Sequence, residues 1–592
     1  FVEELTQMVV ESGMLIEKEK EYQLPGSLPE LAIPSTLKDS LMARLDRLSF
    51  VKETAQIGAV LGREFSFKMI RAVTGWDTKT LDQQLSKLVG AEILYQRSDP
   101  PAAIYNFKHA LIQEAAYQSL VKSRRRQIHQ KVAIAMENQF PALAKVHPEL
   151  VAYHYIEGGL PEEAVIHWLQ AGRLAREQSA NLEAVSHCQE GMAALAVLPD
   201  TPEKAGRELD LLITLGPALA NTRGLGNPEV RNTYTRTREL CRQLGEWTKL
   251  FPVLMGLGTY YRANCQVASA LKVGEQMLQI ARDQPNPLFR AIANDTAGAA
   301  LFMKGALRAA DEHLAQAYDL YAPEQQDTLE FDFGVDPGVH CLVFIAPTKW
   351  FLGFPDQALH RVREAETIAL RTENAISIEH AWWMHAWMRI LRGEWSEARH
   401  ITERLIDHST EHRNLTFLGY ATTFLSLCLL QSGEVKKGIS AMRKGRALLR
   451  KSGFKATLTL VEAMLADFLG RLGRTDQGLR RIEEAITLRE ETGEAVFKAE
   501  QYRVKGALLW QAGQREDAEQ CFRDALKSAR HQEAKSWQLR IALTMARLWQ
   551  KDEKAGETHQ LLQDTYNWFT EGFDSTDLQE AKSFLEEISV GE

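Results

Sequence analysis

His380 and His385 stand among Trp382, Trp383 and Trp387, a grouping that could hold a metal ion or build an aromatic pocket. A metal site needs three or four ligands converging on one point, and residues i and i+5 do not share a helical face. No carboxylate completes the set, so these residues read as the bulky core of a helix. The paired carboxylates Glu483-Glu484 and Glu586-Glu587 fall on exposed helix faces, and no Ser/His/Asp or Cys/His set has a supporting spacing. Arg124-Arg125-Arg126 could bind phosphate, but reads better as a solvated joint between two domains. No GxxxxGK[ST] loop occurs; Gly224-Leu-Gly226 lacks the Lys and the following Ser or Thr, so no backbone cradle for phosphates can be assigned. The six cysteines (Cys188, Cys241, Cys265, Cys341, Cys428, Cys521) form no CxxC pair and read as reduced, mostly buried thiols of a cytoplasmic protein. No catalytic residue, metal ligand or cofactor is assigned in this chain.

A repeat runs through the second half of the chain. Glycine recurs every 40 residues at Gly353, Gly393, Gly433, Gly473 and Gly513, and 48 residues before the first of these at Gly305. Five residues on comes a small residue: Ala358, Ala398, Gly438, Gly478, Ala518. Twelve on comes Ala365, Leu405, Gly445, Ala485, Ala525. Each glycine fits a point where one helix ends in a left-handed residue and the chain reverses, and the small residue lets the second helix approach the first. This is the signature of a helix-pair solenoid like the tetratricopeptide repeat, with slightly longer helices. The pattern predicts a right-handed superhelix of antiparallel pairs over 206–592, turning at Gly305, Gly353, Gly393, Gly433, Gly473 and Gly513. Cys265 and Leu225 hold the glycine phase further back, Glu553 further on, and Gly159 and Ser179 start earlier, looser copies. The extra residues between Gly305 and Gly353 read as a loop with a helix start at Asp336-Pro337-Gly338.

The front differs. Residues 1–13 read as a helix and Met14 to Leu24 as a short hairpin. After Pro25 to Pro34, Ser35 caps a helix with Leu37, Leu41, Leu45 and Leu48 inward. Helices follow over Val51–Leu61 and Ser66–Val73, and Asp77 caps another with Leu81, Leu85 and Leu88 inward. Ile93–Gln96 and Ile104–Phe107 flank a Pro-Pro turn, and a helix begins at His109. Helices followed by a hairpin make a winged-helix layout. The helix that would enter a DNA groove carries Lys79 and Lys87 against Asp77 and Asp82, and no Arg; with a net charge of −8, nucleic acid is not an expected partner. The longest apolar runs are far too short to span a bilayer, so no membrane partner is expected either. The fold class is therefore mainly α, a winged helix followed by a long solenoid. The domains expected are 1–28, the end of a helical lid; 29–125, the winged helix; 126–205, connecting helices; and 206–592, the superhelix.

Phe1-Val-Glu-Glu-Leu5, Ile33-Pro-Ser-Thr-Leu-Lys-Asp-Ser-Leu-Met-Ala-Arg-Leu-Asp-Arg-Leu48, Ala55-Gln-Ile-Gly-Ala-Val-Leu-Gly-Arg-Glu-Phe65 and Phe107-Lys-His-Ala-Leu-Ile-Gln-Glu-Ala-Ala-Tyr117 resemble bacterial signal-transduction ATPases of the STAND type. The resemblance extends to proteins joining a class III adenylate/guanylate cyclase, an AAA-like ATPase and a tetratricopeptide-like tail. It implies that the chain is the sensor half of such a protein, cut where the nucleotide-binding core stops, since it opens on Phe1 inside a helix. ATP or ADP with Mg would then belong to the missing upstream module. The resemblance also gives His109 a role, contact with the β-phosphate of bound ADP in the intact protein, with Phe107 and Leu111 beside it as core. The partners expected are the upstream ATPase module and a protein or small effector on the concave face of the solenoid. A transcription regulator of the same superfamily and a passive scaffold are the alternatives; neither a helix-turn-helix at the C-terminal end nor a set of helix-borne Asn and Lys supports them.

Overall fold

The computed structural model describes residues 16–18, 21–23, 45–46, 50–178, 180–282, 286–321, 335–453, 455–456, 458–550 and 553–591. The expected helix over 1–13, most of the one after Ser35, Ser179 and most of the loop before Asp336 lie outside them. The chain divides into two units, Phe1–Thr214 and Leu215–Glu592.

The first unit opens with an antiparallel hairpin, β1 (Ile16–Lys18) and β2 (Glu21–Gln23). Then come α1 (Lys52–Leu61), β3 (Glu64–Ser66), α2 (Phe67–Thr74), α3 (Thr78–Gly90), β4 (Leu94–Arg97) and β5 (Ile104–Phe107). The strands form an antiparallel sheet in the order β3-β5-β4. Strand β3 was not expected: three residues between two helices give no periodicity to read. The starts of α2 and α3 are legible, because Ser66 Oγ accepts from the Met69 amide and the Asp77 carboxylate from the Thr80 amide. Helices α4 (Ala110–Gln118), α5 (Lys122–Gln139), α6 (Pro141–Val146), α7 (Pro148–Glu157), α8 (Pro161–Glu177) and α9 (Asn181–Ala196) follow. One core runs from Leu45 to Ala164, and α5 passes through the 125/126 position without a break. The division between the units falls inside α10 (Pro202–Arg223), which also contains 205/206.

The second unit is a coil of helix pairs. After α11 (Pro228–Leu244) the first helices of successive pairs are α12 (Trp247–Ala263), α14 (Pro287–Lys304), α16 (Pro337–Leu352), α18 (Ala375–Arg392), α20 (Leu415–Gln431), α22 (Leu458–Arg471), α24 (Lys498–Gln511) and α26 (Lys535–Leu548). Their partners are α13 (Val267–Arg282), α15 (Leu307–Asp319), α17 (Pro355–Thr372), α19 (Trp395–Glu411), α21 (Val435–Ser452), α23 (Thr475–Thr492), α25 (Arg515–His531) and α27 (Ala555–Asn567); α28 (Thr576–Gly591) ends the chain's described part. The two sets differ in sequence. Helix α20 reads Leu-Thr-Phe-Leu-Gly-Tyr-Ala-Thr-Thr-Phe-Leu-Ser-Leu-Cys-Leu-Leu-Gln without a charge and is buried nearly all round. Helix α21 buries a narrow stripe, Gly438, Met442, Gly445 and Leu449, and turns its lysines and arginines outward. The first helices thus form an inner wall and the second helices an outer one.

Between the walls sit Gly305, Gly353, Gly393, Gly433, Gly473 and Gly513, with φ between +71° and +97°. At Gly305 its own amide donates to Phe302 O and the next amide to Leu301 O, a Schellman pair repeated at the other five. Cys265 makes the same pair with φ +55°, so the left-handed turn persists there despite a Cβ. Close packing explains the small residues: a Cβ on Gly438 would lie 2.7 Å from Leu430, and one on Gly478 2.8 Å from Leu508.

Candidate functional site

His109 supplies the residue before α4 and stands exposed; its imidazole makes no capping bond, while its carbonyl accepts from the Ile112 and Gln113 amides. Phe107 is buried in the core. Leu111 is not: it is half exposed, because α4 turns Ile112, Ala115 and Ala116 inward instead. The expectation that Leu111 is core is therefore corrected. On α3, the helix considered for a DNA groove, Gln84 accepts from Thr54 of α1.

In the arginine triplet Arg124 and Arg126 are exposed, as expected of a solvated joint, and Arg125 is half-buried. Arg124 bonds Glu53 at 2.5 Å, and Arg125 lies 4.3 Å from the Tyr117 ring and donates to the Tyr117 and Leu120 carbonyls. Beneath it is a pair that sequence reading missed. His129 Nδ1 and His154 Nδ1 are 2.9 Å apart and buried, and Tyr117 Oη meets His129 Nε2 at 3.0 Å. Burial lowers His129 to about 4, with Arg125 adding to the effect, and lowers His154 to about 3, with His129 adding. The two residues are 25 apart on different helices, so no spacing announces them.

His380 and His385 do not meet on a common ligand. His380 Nδ1 donates to Ile376 O and its ring packs on Phe417, while His385 Nδ1 lies 2.9 Å from Glu366 Oε2. A carboxylate does reach His385, contrary to the sequence reading, but Glu366 also accepts from Trp382 Nε1 and acts as a clamp between helices. Hydrogen bonding by His385 holds the Glu366 carboxyl below its usual value against burial. Among the described residues no group of three His, Cys, Asp or Glu could hold a metal ion. All six cysteines are buried, and none is in a disulfide.

The inner wall is where an effector was expected, and much of it is filled by the chain itself. Trp350 and Phe351 of α16 each pack 5.1 Å from Trp537 of α26, and Phe497 lies about 6 Å from both Phe351 and Trp387. The coil has come round and stacked on its own start. Backbone bonds along this seam follow a rule. Carbonyls in the last turn of inner helices, where intrahelical donors run out, accept from loop amides or side chains of pairs much later in the chain. Ala263 O accepts from the Lys455 amide at 2.7 Å and Met303 O from the Ala495 amide at 2.9 Å. Trp350 O accepts from Ser536, 186 residues on, and Leu391 O from Arg540. Arg392, 1% exposed, joins Asp356, Glu394 and Asp574 across the same seam. Burial alone would lower this guanidinium, but the Glu394 and Asp574 carboxylates raise it. Glu571 accepts from the Asp356 and Gln357 amides and so caps α17 from the far end of the coil.

The filled wall also encloses polar groups. Arg262 Nη2 lies 3.2 Å from His340 Nε2, and His340 Nδ1 lies 2.7 Å from Asp295. Glu379 is fully buried, accepts from Asn414 at 2.6 Å, and is pushed up by burial to about 7. No helix of the described residues is long and apolar enough to cross a membrane.

No known protein-family profile matches the chain. An uncharacterized protein of Rhizobium meliloti (strain 1021) is 26% identical over 506 residues, 83% of this chain and 48% of its own length. The chain thus spans about half the length of the curated relative it matches. Among solved structures, a Rap protein complexed with Competence and Sporulation Factor is similar over 62% of this chain and 99% of its own, at 14% identity and a TM-score of 0.47. The Cut9–Hcn1 hetero-tetramer of the APC/C is similar over 92% of this chain and 96% of its own, at 11% identity and 0.43. A STAND protein with a tetratricopeptide repeat sensor from Pyrococcus horikoshii is similar over 69% of this chain and 67% of its own, at 11% identity and 0.34. With TM-scores this low, the helical-repeat fold rests on the chain's own helix pairs and Schellman turns.

Proposed function

We propose that this chain is the sensor and relay half of a STAND-type signalling ATPase, receiving an effector on its helix-pair coil and passing the signal to an upstream nucleotide-binding module, with a nucleotide cyclase as its output. The observation that carries this reading is the order of parts. A module of helices and a small antiparallel sheet, read as a winged helix, precedes a coil of helix pairs, and His109 stands exposed at the start of the helix that follows the hairpin. The resemblance of the segments around Ile33, Ala55 and Phe107 to STAND proteins supports it, and the greater length of the relative leaves room for further modules.

A switch of this kind works by differential contacts: ADP favours a closed state and an effector an open one. A hydrogen bond from His109 to a phosphate of ADP would be charge-assisted and worth roughly 1.5–3 kcal/mol. His109→Ala in the intact protein is therefore expected to weaken ADP retention about ten- to a hundred-fold and to raise output without effector. Equilibrium dialysis of ADP and an assay of basal output check this. Unchanged retention and output would make His109 a helix-start residue and nothing more.

A further inference from the structure

The chain carries a net charge of −8, yet from Val435 to Ala456 it has eight lysines and arginines and no acid. Most of these face solvent from α21. Three of them, Arg446, Arg450 and Lys455, line a cleft of about 310 Å³ between α21, α22 and α23, together with Glu462 and Glu484. The charges in it do not cancel. Arg446 Nε bonds Glu462 Oε1 at 2.6 Å, and Glu484 is taken by Arg481 at 2.7 Å. Arg450 and Lys455 have no ion-pair partner among the described residues. Glu462 is 6% exposed, and its second oxygen has no hydrogen-bond partner; Arg481 stands 3.9 Å away, beyond bonding distance. A buried carboxylate oxygen left in this condition is costly, and a donor in the cleft would relieve it.

Two unpaired cations and one half-satisfied carboxylate call for a ligand with two acidic groups and one N–H donor. The volume is at the small end of ligand sites, which fits a metabolite and not an extended peptide. We propose that this cleft binds a small acidic amine of the dicarboxylic amino-acid kind, its carboxylates on Arg450 and Lys455 and its ammonium on Glu462. The position has a consequence for the coil. The Lys455 amide donates to Ala263 O across the seam, and Gly453, also lining the cleft, lies against Gly226. A ligand held here grips residues that close the coil. That consequence rests on the switch reading above; the binding itself does not.

Calorimetric titration of the chain with L-glutamate and L-aspartate, each beside glutarate and succinate, tests the site, because each pair differs only in the ammonium. At least one amino acid should bind saturably and about ten- to a hundred-fold tighter than its partner diacid. Arg450→Gln with Lys455→Gln, both exposed and free of ion pairs, should abolish saturable binding. Glu462→Gln should bring the amino acid down to the level of the diacid, with thermal unfolding as a check that the variant is folded. Lys436→Gln, exposed on the same helix but outside the cleft, should change neither. No saturable binding of either amino acid, equal affinity within both pairs, or binding that survives Arg450→Gln/Lys455→Gln overturns the proposal. Saturable binding in a parent protein whose ADP retention ignores His109→Ala would sink the switch and leave the cleft standing.

Discussion

His129 and His154 set the acid stability of the first unit. Their values in the fold, about 4 and about 3, lie below the ordinary 6.5, so the unfolded chain takes up protons that the folded one refuses. Stability is full above about pH 6.5 and falls as pH drops toward 4. Imidazole proton NMR near pH 5.5 should find both rings neutral, and a titration midpoint near 6.5 for either would contradict the buried pairing. Glu379 works in the opposite sense. With its value raised from 4.5 to about 7, it costs stability as pH rises through that window, up to about 3 kcal/mol at alkaline pH. Glu379→Gln keeps an acceptor for Asn414 and removes the charge. It should raise the thermal midpoint at about pH 8 and leave it nearly unchanged near pH 4.5, where the wild-type carboxyl is already neutral. A midpoint lowered at pH 8 would show that the charged carboxylate is needed. Neither the histidine pair nor Glu379 was visible in the sequence, because both depend on helices far apart in the chain meeting at one level. The cysteines and the exposed carboxylate pairs were legible, since composition and helical phase decide them. Leu111 was misjudged, because a residue in the first turn of a helix can face either way until the packing partner is known.

At the scale of elements, the repeat was the most legible feature. A period of glycines located the turns, and the small residue five positions on reported how closely the helices of a pair approach. The two roles of glycine separate by mutation. Gly513 has φ +81° and nothing within 4 Å of an added Cβ, so Gly513→Ala should cost only the left-handed strain, roughly 1–2 kcal/mol. Gly445 lies inside α21, where Ala is intrinsically favoured by about 1 kcal/mol. A Cβ there would stand 2.4 Å from Thr423 Oγ1 and 2.9 Å from the Thr423 amide nitrogen. Overpacking against backbone outweighs propensity, and Gly445→Ala should destabilise by about 1–3 kcal/mol. Urea unfolding of both variants checks the order; a stabilised Gly445→Ala would mean that α20 and α21 pack less tightly. Strand β3 escaped notice because its three residues are defined only by pairing with β5.

The whole second unit depends on contacts that no local pattern announces. The sequence pointed to a coil but not to its closing, and the expected concave surface is in large part an aromatic core shared by its third and fourth pairs with its seventh and eighth. Trp537→Ala removes a fully buried side chain from that core and should cost about 3–5 kcal/mol, read as a lowered thermal midpoint. If the coil were open at this level, the loss would be far smaller. The most direct test of the account is amide hydrogen exchange at Lys455 and Ala495, two loop residues whose amides bond Ala263 O and Met303 O across the seam. A closed coil predicts exchange at these two sites as slow as in the inner helices, and faster exchange at both when Trp537 is replaced by Ala. Exchange at the rate of solvent-exposed loops in the wild-type chain would contradict the closed coil, and with it the seam through which an effector is proposed to act.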